Sequence, residues 1–263
     1  MFLLLEIVLV LSLIVVTYFL LVTRVSLIIN SIFQKKRGTS HIYWVYSNRF
    51  LIWLTDRPII ISAILFFNYK RLVNTVVERM NPSLEGKRVL QASCAFGNFS
   101  QRIAEKCMSE GARKVVIFDL IGNEIKHTQR KLEKNNAAKI CSYLLEDAIN
   151  IAHKNESFDY VLIFFLFHEL PFEKKVASLK EAARVLKPGG RLIFAEFHKP
   201  AHWILRVSGR CFFKAFEPYA NEMWDDFNAH QILNEETLHH WKTTKNRFFG
   251  GNYQVFTAEK IPN

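Results

Sequence analysis

The chain has 263 residues, half of them hydrophobic, and Lys plus Arg exceed Asp plus Glu by 35 to 24. That is ample material for a buried core, so a scaffold too small to fold alone is excluded, and one large domain is expected rather than two small ones. The basic surplus suits an anionic partner, either nucleic acid or the inner leaflet of a membrane.

Met1 to Thr23 is apolar apart from Glu6 and a few hydroxyl groups. At about 1.5 Å per helical residue it is long enough for a hydrocarbon core of about 30 Å, so residues 1-23 are expected to be a transmembrane anchor. A cleaved signal peptide would carry basic residues before its apolar run. Here Glu6 comes first and Arg24, Lys35, Lys36 and Arg37 follow, an order that puts the rest of the chain on the cytoplasmic or matrix-equivalent face. A buried core helix is the alternative.

Residues 24-84 continue as a basic juxtamembrane stretch and an aromatic region, HIYWVYSNRFLIWLTDRPIIISAILFFNYKRL, broken by Arg49, Asp56, Arg57 and Pro58. Neither half makes a comfortable span. One or two interfacial helices are expected, with Tyr43, Trp44, Tyr46 and Trp53 at headgroup depth; the alternative, that these aromatics cap the core of the main domain, is compatible with it. An amphipathic helix over Leu72 to Met80 ends at Asn81-Pro82-Ser83.

From residue 85 strands and helices alternate. Strands are predicted at Arg88 to Ser93, Lys114 to Asp119, Ile140 to Glu146, Phe158 to Phe165 and Arg191 to Phe197, with a late pair near Arg247 to Gly250 and Tyr253 to Ala258. Helices are predicted at Ser100 to Ser109, Gly122 to Asn135 and Glu173 to Leu186. This order predicts an α/β domain over 85-263 with a mostly parallel sheet, a final hairpin at Gly250-Gly251-Asn252 adding an antiparallel edge. Residues 198-236, rich in Trp, Phe and Tyr, form an insertion expected to shape a site or lid.

The unit RVLQASCAFGNFSQRIAEKCMSEGARKVVIFD reads as strand, tight turn, helix and a second strand ending in Asp119. Such a turn lies at the carboxyl edge of a sheet, where ligands bind, and a carboxylate there can accept hydrogen bonds from both hydroxyls of a ribose. The turn lacks G-x-G-x-x-G. Ser93, Cys94, Ala95, Phe96 and Gly97 stand instead, which fits a nucleoside without phosphates, such as S-adenosylmethionine, better than NAD. An ordinary α/β turn is the competing reading.

The strand FDYVLIFFLFHEL ends in His168-Glu169, candidates for proton transfer or substrate anchoring; Glu169 could instead cap the next helix. Leu145-Glu146-Asp147-Ala148 follows the third strand, where an acid could accept from an adenine amino group or cap a helix. Lys187-Pro188-Gly189-Gly190 is a tight turn with no catalytic role. Glu196, His198, Glu217 and Asp225 could gather near the site, but no spacing supports a metal. The four cysteines, Cys94, Cys107, Cys141 and Cys211, show neither zinc nor disulfide spacing.

In this order the motifs resemble a class I S-adenosylmethionine-dependent methyltransferase over about residues 85 to 260. CAFG stands at that family's glycine-rich turn, Asp119 at its ribose acid, Asp147 at its adenine acid, and KPGG is typical of its ubiquinone and menaquinone methyltransferases. A narrower likeness is to the rhodoquinone-biosynthesis enzymes. It rests on YWVY (Tyr43 to Tyr46), VLQASCAFGNFS (Val89 to Ser100), FFLFHELP (Phe164 to Pro171), EFHKP (Glu196 to Pro200) and FEPYANEMW (Phe216 to Trp224). The resemblance implies a Rossmann-like methyltransferase fold behind the membrane helix. It implies S-adenosylmethionine held by Gln91, Ser93, Cys94, Phe96, Gly97, Asn98, Asp119, Leu120, Asp147, Ala148 and Phe164, and catalysis by His168, Glu169 and Tyr46.

A membrane-anchored transferase acting on a polyprenyl quinone or similar lipid is therefore expected. Alternatives are rhodoquinone-type amination of ubiquinone, with S-adenosylmethionine as amino donor and manganese assisting, and a noncatalytic scaffold. Gln91 departs from the family's usual acid, and Ala95 to Asn98 departs from the narrower group's Val-Tyr-Gly-Asp. Nucleic acid is not expected as a partner, since no Asn-Pro-Pro-Tyr-like motif follows the fourth strand.

Overall fold

The computed structural model describes residues 6, 9–14, 17, 49–134, 136–217 and 219–262. Seven strands, β1 (Arg88–Ala92), β2 (Lys114–Asp119), β3 (Cys141–Leu145), β4 (Phe158–Phe164), β5 (Leu186–Phe197), β6 (Trp241–Phe248) and β7 (Tyr253–Lys260), form one sheet. Their order is β3-β2-β1-β4-β5-β7-β6. The first five are parallel, and β7 runs antiparallel to both β5 and β6. This is the Rossmann-like arrangement expected from alternating strands and helices, with the late hairpin supplying the antiparallel strand.

The central strands are apolar on both faces because helices cover both. Val89, Leu90, Val115, Ile117, Val161 and Leu162 are fully buried, each stabilising the fold by roughly 1.5–3 kcal/mol relative to exposure. Helices α1 (Arg49–Thr55), α2 (Pro58–Ile64), α3 (Tyr69–Arg79), α4 (Phe99–Ser109) and α5 (Gly122–Glu133) precede or connect the first strands. Helix α6 (Phe172–Val185) joins β4 to β5, and α7 (Trp203–Phe216), α8 (Ala220–Asp225) and α9 (Ala229–Glu236) make up the insertion before β6. The charged face of β6 protects the open edge of the sheet.

Three differences from the sequence reading have physical causes. Helix α3 buries Tyr69, Leu72, Val73 and Val76 and packs on α4, β5 and β7, so it is a layer of the fold although it precedes residue 85. Lys187 to Gly190 is not a separate turn but part of β5. Between Leu186, opposite Phe158, and Arg191, opposite Tyr160, these residues bulge outward, and Lys187 Nζ reaches Asp159 Oδ2 at 2.9 Å. Both hairpin strands are longer than predicted because polar Trp241–Phe248 reads as loop until its cross-strand partners are known.

Most of the expected anchor, residues 1-23, lies outside the described residues, as do Tyr43, Trp44 and Tyr46. Among the described residues no single helix is long and apolar enough to cross a membrane; α2 and α3 pass together only as a pair bent by 99°.

The turn after β1 combines two left-handed residues, Ser93 (φ 71°) and Gly97 (φ 77°). A Cβ on Gly97 would lie 2.4 Å from the Tyr69 hydroxyl. Gly97→Ala is expected to lower unfolding free energy by about 2–4 kcal/mol, from backbone strain plus overpacking. Ser93→Gly removes strain and should leave stability unchanged or raised, because the relief of about 1–2 kcal/mol exceeds glycine's entropic cost. Urea melts of the two variants measure this contrast, and equal losses would contradict it.

Candidate active site

The sheet order reverses between β1 and β4, so their carboxyl ends open a crevice where open α/β sheets bind ligands. The β1 turn forms one wall and the segment after β4 the other.

On the β1 side, side chains from three parts of the chain hold the turn's amides. Asp119 Oδ2 accepts from Cys94 N at 2.7 Å, while its Oδ1 accepts from Ile121 N at 2.9 Å. Asp56 Oδ1 accepts from Gly97 N at 2.7 Å, and the Tyr69 hydroxyl accepts from Asn98 N at 2.7 Å. Gln91, fully buried, donates through Nε2 to Ser93 O (2.9 Å) and Ser100 Oγ (2.7 Å), bracing the turn from inside. Phe164 stacks on Phe99 at 4.3 Å beneath it. Phe96 is half-buried, its carbonyl 3.3 Å from the Tyr69 hydroxyl.

Burial pushes the Asp119 carboxyl up to about 6, against the pull of the amides of Cys94, Ile121 and Leu120. Leu120, exposed beside it, and Leu145, in register with Asp119 on β3, present apolar surface at the same edge. Asp147 makes no helix cap: its Oδ1 accepts from Ile149 N at 3.2 Å in a tight turn, and Ala148 is buried behind it.

The sequence reading missed the clamp at Gly97. Lys131 Nζ lies 2.8 and 2.9 Å from the two Asp56 oxygens and 2.6 Å from Gly97 O, and His127 Nε2 lies 2.8 Å from Asp56 Oδ2. Both backbone polar groups of Gly97 are thus taken by protein. The absence of a Cβ at Gly97 lets Tyr69 approach it. Asp56 reads in the sequence only as a charge that interrupts an apolar run, and His127 and Lys131 carry no local signal.

On the β4 side, Phe165 takes a left-handed conformation (φ 55°) that turns the chain into a short 3-10 segment, Phe167–Glu169. That segment delivers His168 to Glu196 on β5, with Nδ1 3.0 and 3.1 Å from the two carboxylate oxygens. Glu196 also accepts from Phe197 N at 2.8 Å. The other ring nitrogen, Nε2, is 3.9 Å from both Glu169 and Glu217. Burial alone would lower the imidazole pKa, but the charge and hydrogen bond of Glu196, then the charges of Glu217 and Glu169, outweigh it and hold the ring at about 9. His168 is therefore an imidazolium at neutral pH. It can donate through Nε2 but has no lone pair with which to act as the base that its strand-end position suggested.

The insertion is pinned next to this ring by a fully buried lysine. Lys175 Nζ donates to Leu170 O, to Tyr219 O at 3.0 Å and to Glu222 Oε2 at 2.6 Å. Of the other polar candidates, Asp225 pairs with Lys199 and Arg210, and His198 bonds Gly251 O at 2.8 Å. Among the described residues no three His, Cys, Asp or Glu side chains gather as a metal site.

S-adenosylmethionine fits what is present on the β1 side. Two buried acceptors at this turn, Gln91 Oε1 and Glu124 Oε1, have no hydrogen-bond partner among the described residues. Burial, then the charges of Asp119 and Asp56, raises the Glu124 carboxyl well above the usual range. A ligand rich in hydroxyl and ammonium donors would satisfy these atoms.

A profile described as the ubiE/COQ5 methyltransferase family matches residues 57–246. The chain is 27% identical over 171 residues to a demethylmenaquinone methyltransferase of Geobacillus, covering 60% of this chain and 70% of the relative. It is 25% identical over 182 residues to a ubiquinone/menaquinone biosynthesis C-methyltransferase of Shewanella baltica, covering 69% and 71%. In fold it is similar to an S-adenosylmethionine-dependent methyltransferase from Aquifex aeolicus (TM-score 0.57, 19% identity, 82% of this chain and 99% of that one). It is also similar to an N-methyltransferase of Bradyrhizobium japonicum in complex with S-adenosylhomocysteine (TM-score 0.52, 14% identity, 83% and 95%).

The His168 pair has a defined pH signature. Its folded pKa of about 9 lies above the ordinary 6.5, so its stabilisation is complete below about pH 6.5 and is lost as pH rises through about 9. A histidine NMR titration should place the His168 midpoint near 9. In Glu196→Gln the midpoint should fall to or below the ordinary range; an unchanged midpoint would refute the pairing.

Proposed function

Since this chain belongs to the ubiE/COQ5 methyltransferase family, we propose that it transfers a methyl group to the ring of a polyprenyl quinone precursor or a similar lipid-soluble phenol. What supports this reading is the placement of Asp119 at the carboxyl end of β2 and of the His168–Glu196 dyad after β4, on the two strands that flank β1. The curated relatives named for demethylmenaquinone and ubiquinone chemistry support the quinone as acceptor.

When bound, S-adenosylmethionine supplies an electrophilic methyl on a sulfonium. The chain's own residues would do the rest. Asp119 has a lone pair left on each oxygen for the ribose hydroxyls, and Gln91 Oε1 and Glu124 Oε1 would accept from donors of the same ligand. The His168 imidazolium would donate from Nε2 to an acceptor oxygen and stabilise its anion, the phenol's proton passing to the Glu169 or Glu217 carboxylate 3.9 Å from that nitrogen, so that the oxygen or ortho carbon becomes nucleophilic. On methyl transfer S-adenosylhomocysteine leaves, and where carbon is the nucleophile the ring proton is lost to the same carboxylates or to water. Positioning of the two reactants then supplies much of the rate. Phe165, Phe197 and Tyr253 pack edge-on or tilted around His168 and one another, shielding it from water.

The membrane setting belongs to the same reading. The apolar residues 1-23 followed by Arg24, Lys35, Lys36 and Arg37 favour attachment, with the catalytic domain on the cytoplasmic or matrix-equivalent face.

Incubation with demethylated quinols and labelled S-adenosylmethionine should give a methylated product by mass spectrometry. An aminated ubiquinone, formed with or without added manganese, would replace methyl transfer by the rhodoquinone-type reaction, and no product from any quinone would overturn the acceptor class. Binding of S-adenosylhomocysteine, followed by calorimetry, should weaken as pH falls through about 6, where Asp119 gains its proton. Asp119→Asn should weaken it roughly ten- to hundredfold at neutral pH. Undiminished binding by that variant would remove Asp119 from the site.

A further inference from the structure

We infer that the exposed face formed by α7 and the α2–α3 corner docks on an anionic phospholipid bilayer and turns the His168 crevice toward it. Helix α7 buries Phe213 and seats Gly209 against Trp224 on its inner face, yet its outer face is apolar as well. It leaves Trp203 63%, Ile204 52% and Val207 55% exposed, with Cys211 one turn further on the same face. Arg206, Arg210 and Lys214 follow at intervals of four along its flank, Arg210 sharing Asp225 with Lys199, and the helix contains no acidic residue. An outward apolar stripe bordered by cations is what an anionic interface binds and what water does not favour.

The second part of the face is held outward at a cost. Phe66 and Phe67, consecutive and both left-handed (φ 46° and 59°), stand 59% and 79% exposed at the α2–α3 corner. The end of α2 sets this geometry, with Phe66 N donating to Ala63 O at 3.1 Å and Phe67 N to Ser62 O at 2.6 Å, and bulky residues in that region carry strain. The two parts are continuous. Phe66 stacks on Phe249 at 5.1 Å, and a Cβ on the adjoining Gly250 would lie 2.8 Å from Leu205 Cδ1 of α7.

From this face an aromatic wall leads inward. Phe249 lies 6.2 Å from Tyr253, Tyr253 lies 6.1 Å from Phe165, and Phe165 lies 5.9 Å from His168. Delivery of the acceptor along this wall rests on the proposed lipid-soluble substrate. Docking itself does not.

Because residues 1-23 could by themselves hold the chain on vesicles, the test reads one position at a time in the full chain. An environment-sensitive fluorophore is placed on native Cys211 in a Cys141→Ser background. A control carries it at Leu238→Cys, with Cys211→Ser, on the loop before β6, at the opposite end of the strands from Phe249. With phosphatidylcholine vesicles containing phosphatidylglycerol, emission at position 211 should shift to the blue and lose most of its intensity to acyl-chain-brominated lipid, while position 238 stays unaffected. Phe67→Asp with Val207→Asp should abolish both changes at 211, and omission of phosphatidylglycerol should reduce them.

Equal responses at 211 and 238 on vesicle-bound protein would overturn the proposal. So would a lipid-independent blue shift accompanied by a dimer in light scattering, which would assign the face to a second copy. The same variant is assayed for S-adenosylhomocysteine binding and for turnover of a short-tailed soluble quinol, so failure of docking and failure of the proposed chemistry are read separately.

Discussion

The loop from Ser93 to Asn98 keeps its shape because three oxygens from distant parts of the chain take its amide hydrogens: Asp119 at Cys94, Asp56 at Gly97 and Tyr69 at Asn98. A loop with one glycine in place of three could not otherwise hold two left-handed residues beside a helix N-terminus. The constraint also ties the N-terminal helices to the sheet. Asp56 lies between α1 and α2, so the Lys131 ion pair that closes the Gly97 end of the turn fixes the break between those helices against it. Breaking this buried pair by removing one partner would leave an uncompensated charge, the costly case for ion pairs in an interior.

With that end closed, the crevice has a polar wall at Asp119 and a cationic one at His168. Their environments push them in useful directions for different reasons. Asp119 is raised by burial yet remains ionised at neutral pH, while His168 is kept protonated by three carboxylates despite its burial. One side is suited to accept from hydroxyls, the other to donate to an oxygen that gains charge.

Much of this was legible from local pattern. The runs Val89 to Ala92 and Val115 to Phe118 have the two-sided apolarity of central parallel strands, and Asp119 ends the second at the register where a ribose acid is expected. The insertion after β5 was marked by its aromatic density. What local pattern could not show were pairings across long separations. His168 and Glu196 are distant in sequence and meet only because β4 and β5 are neighbours; Asp56 meets Gly97 and Lys131 only because α1 packs on α5. Without the partner carboxylates, His168 reads as an ordinary imidazole and therefore as a base, whereas the assembled site makes it a donor. Lys175 reads as one of several surface lysines of α6 until the insertion folds over it.

The account turns on where a nucleoside sits, and a crystal structure of the full chain with S-adenosylhomocysteine tests that most directly. The ribose should lie within hydrogen-bond distance of both Asp119 oxygens, with the sulfur facing the His168 side of the crevice and the Gly97 clamp unbroken. A ligand bound elsewhere, or one that enters only by displacing Asp56 from Gly97, would contradict it.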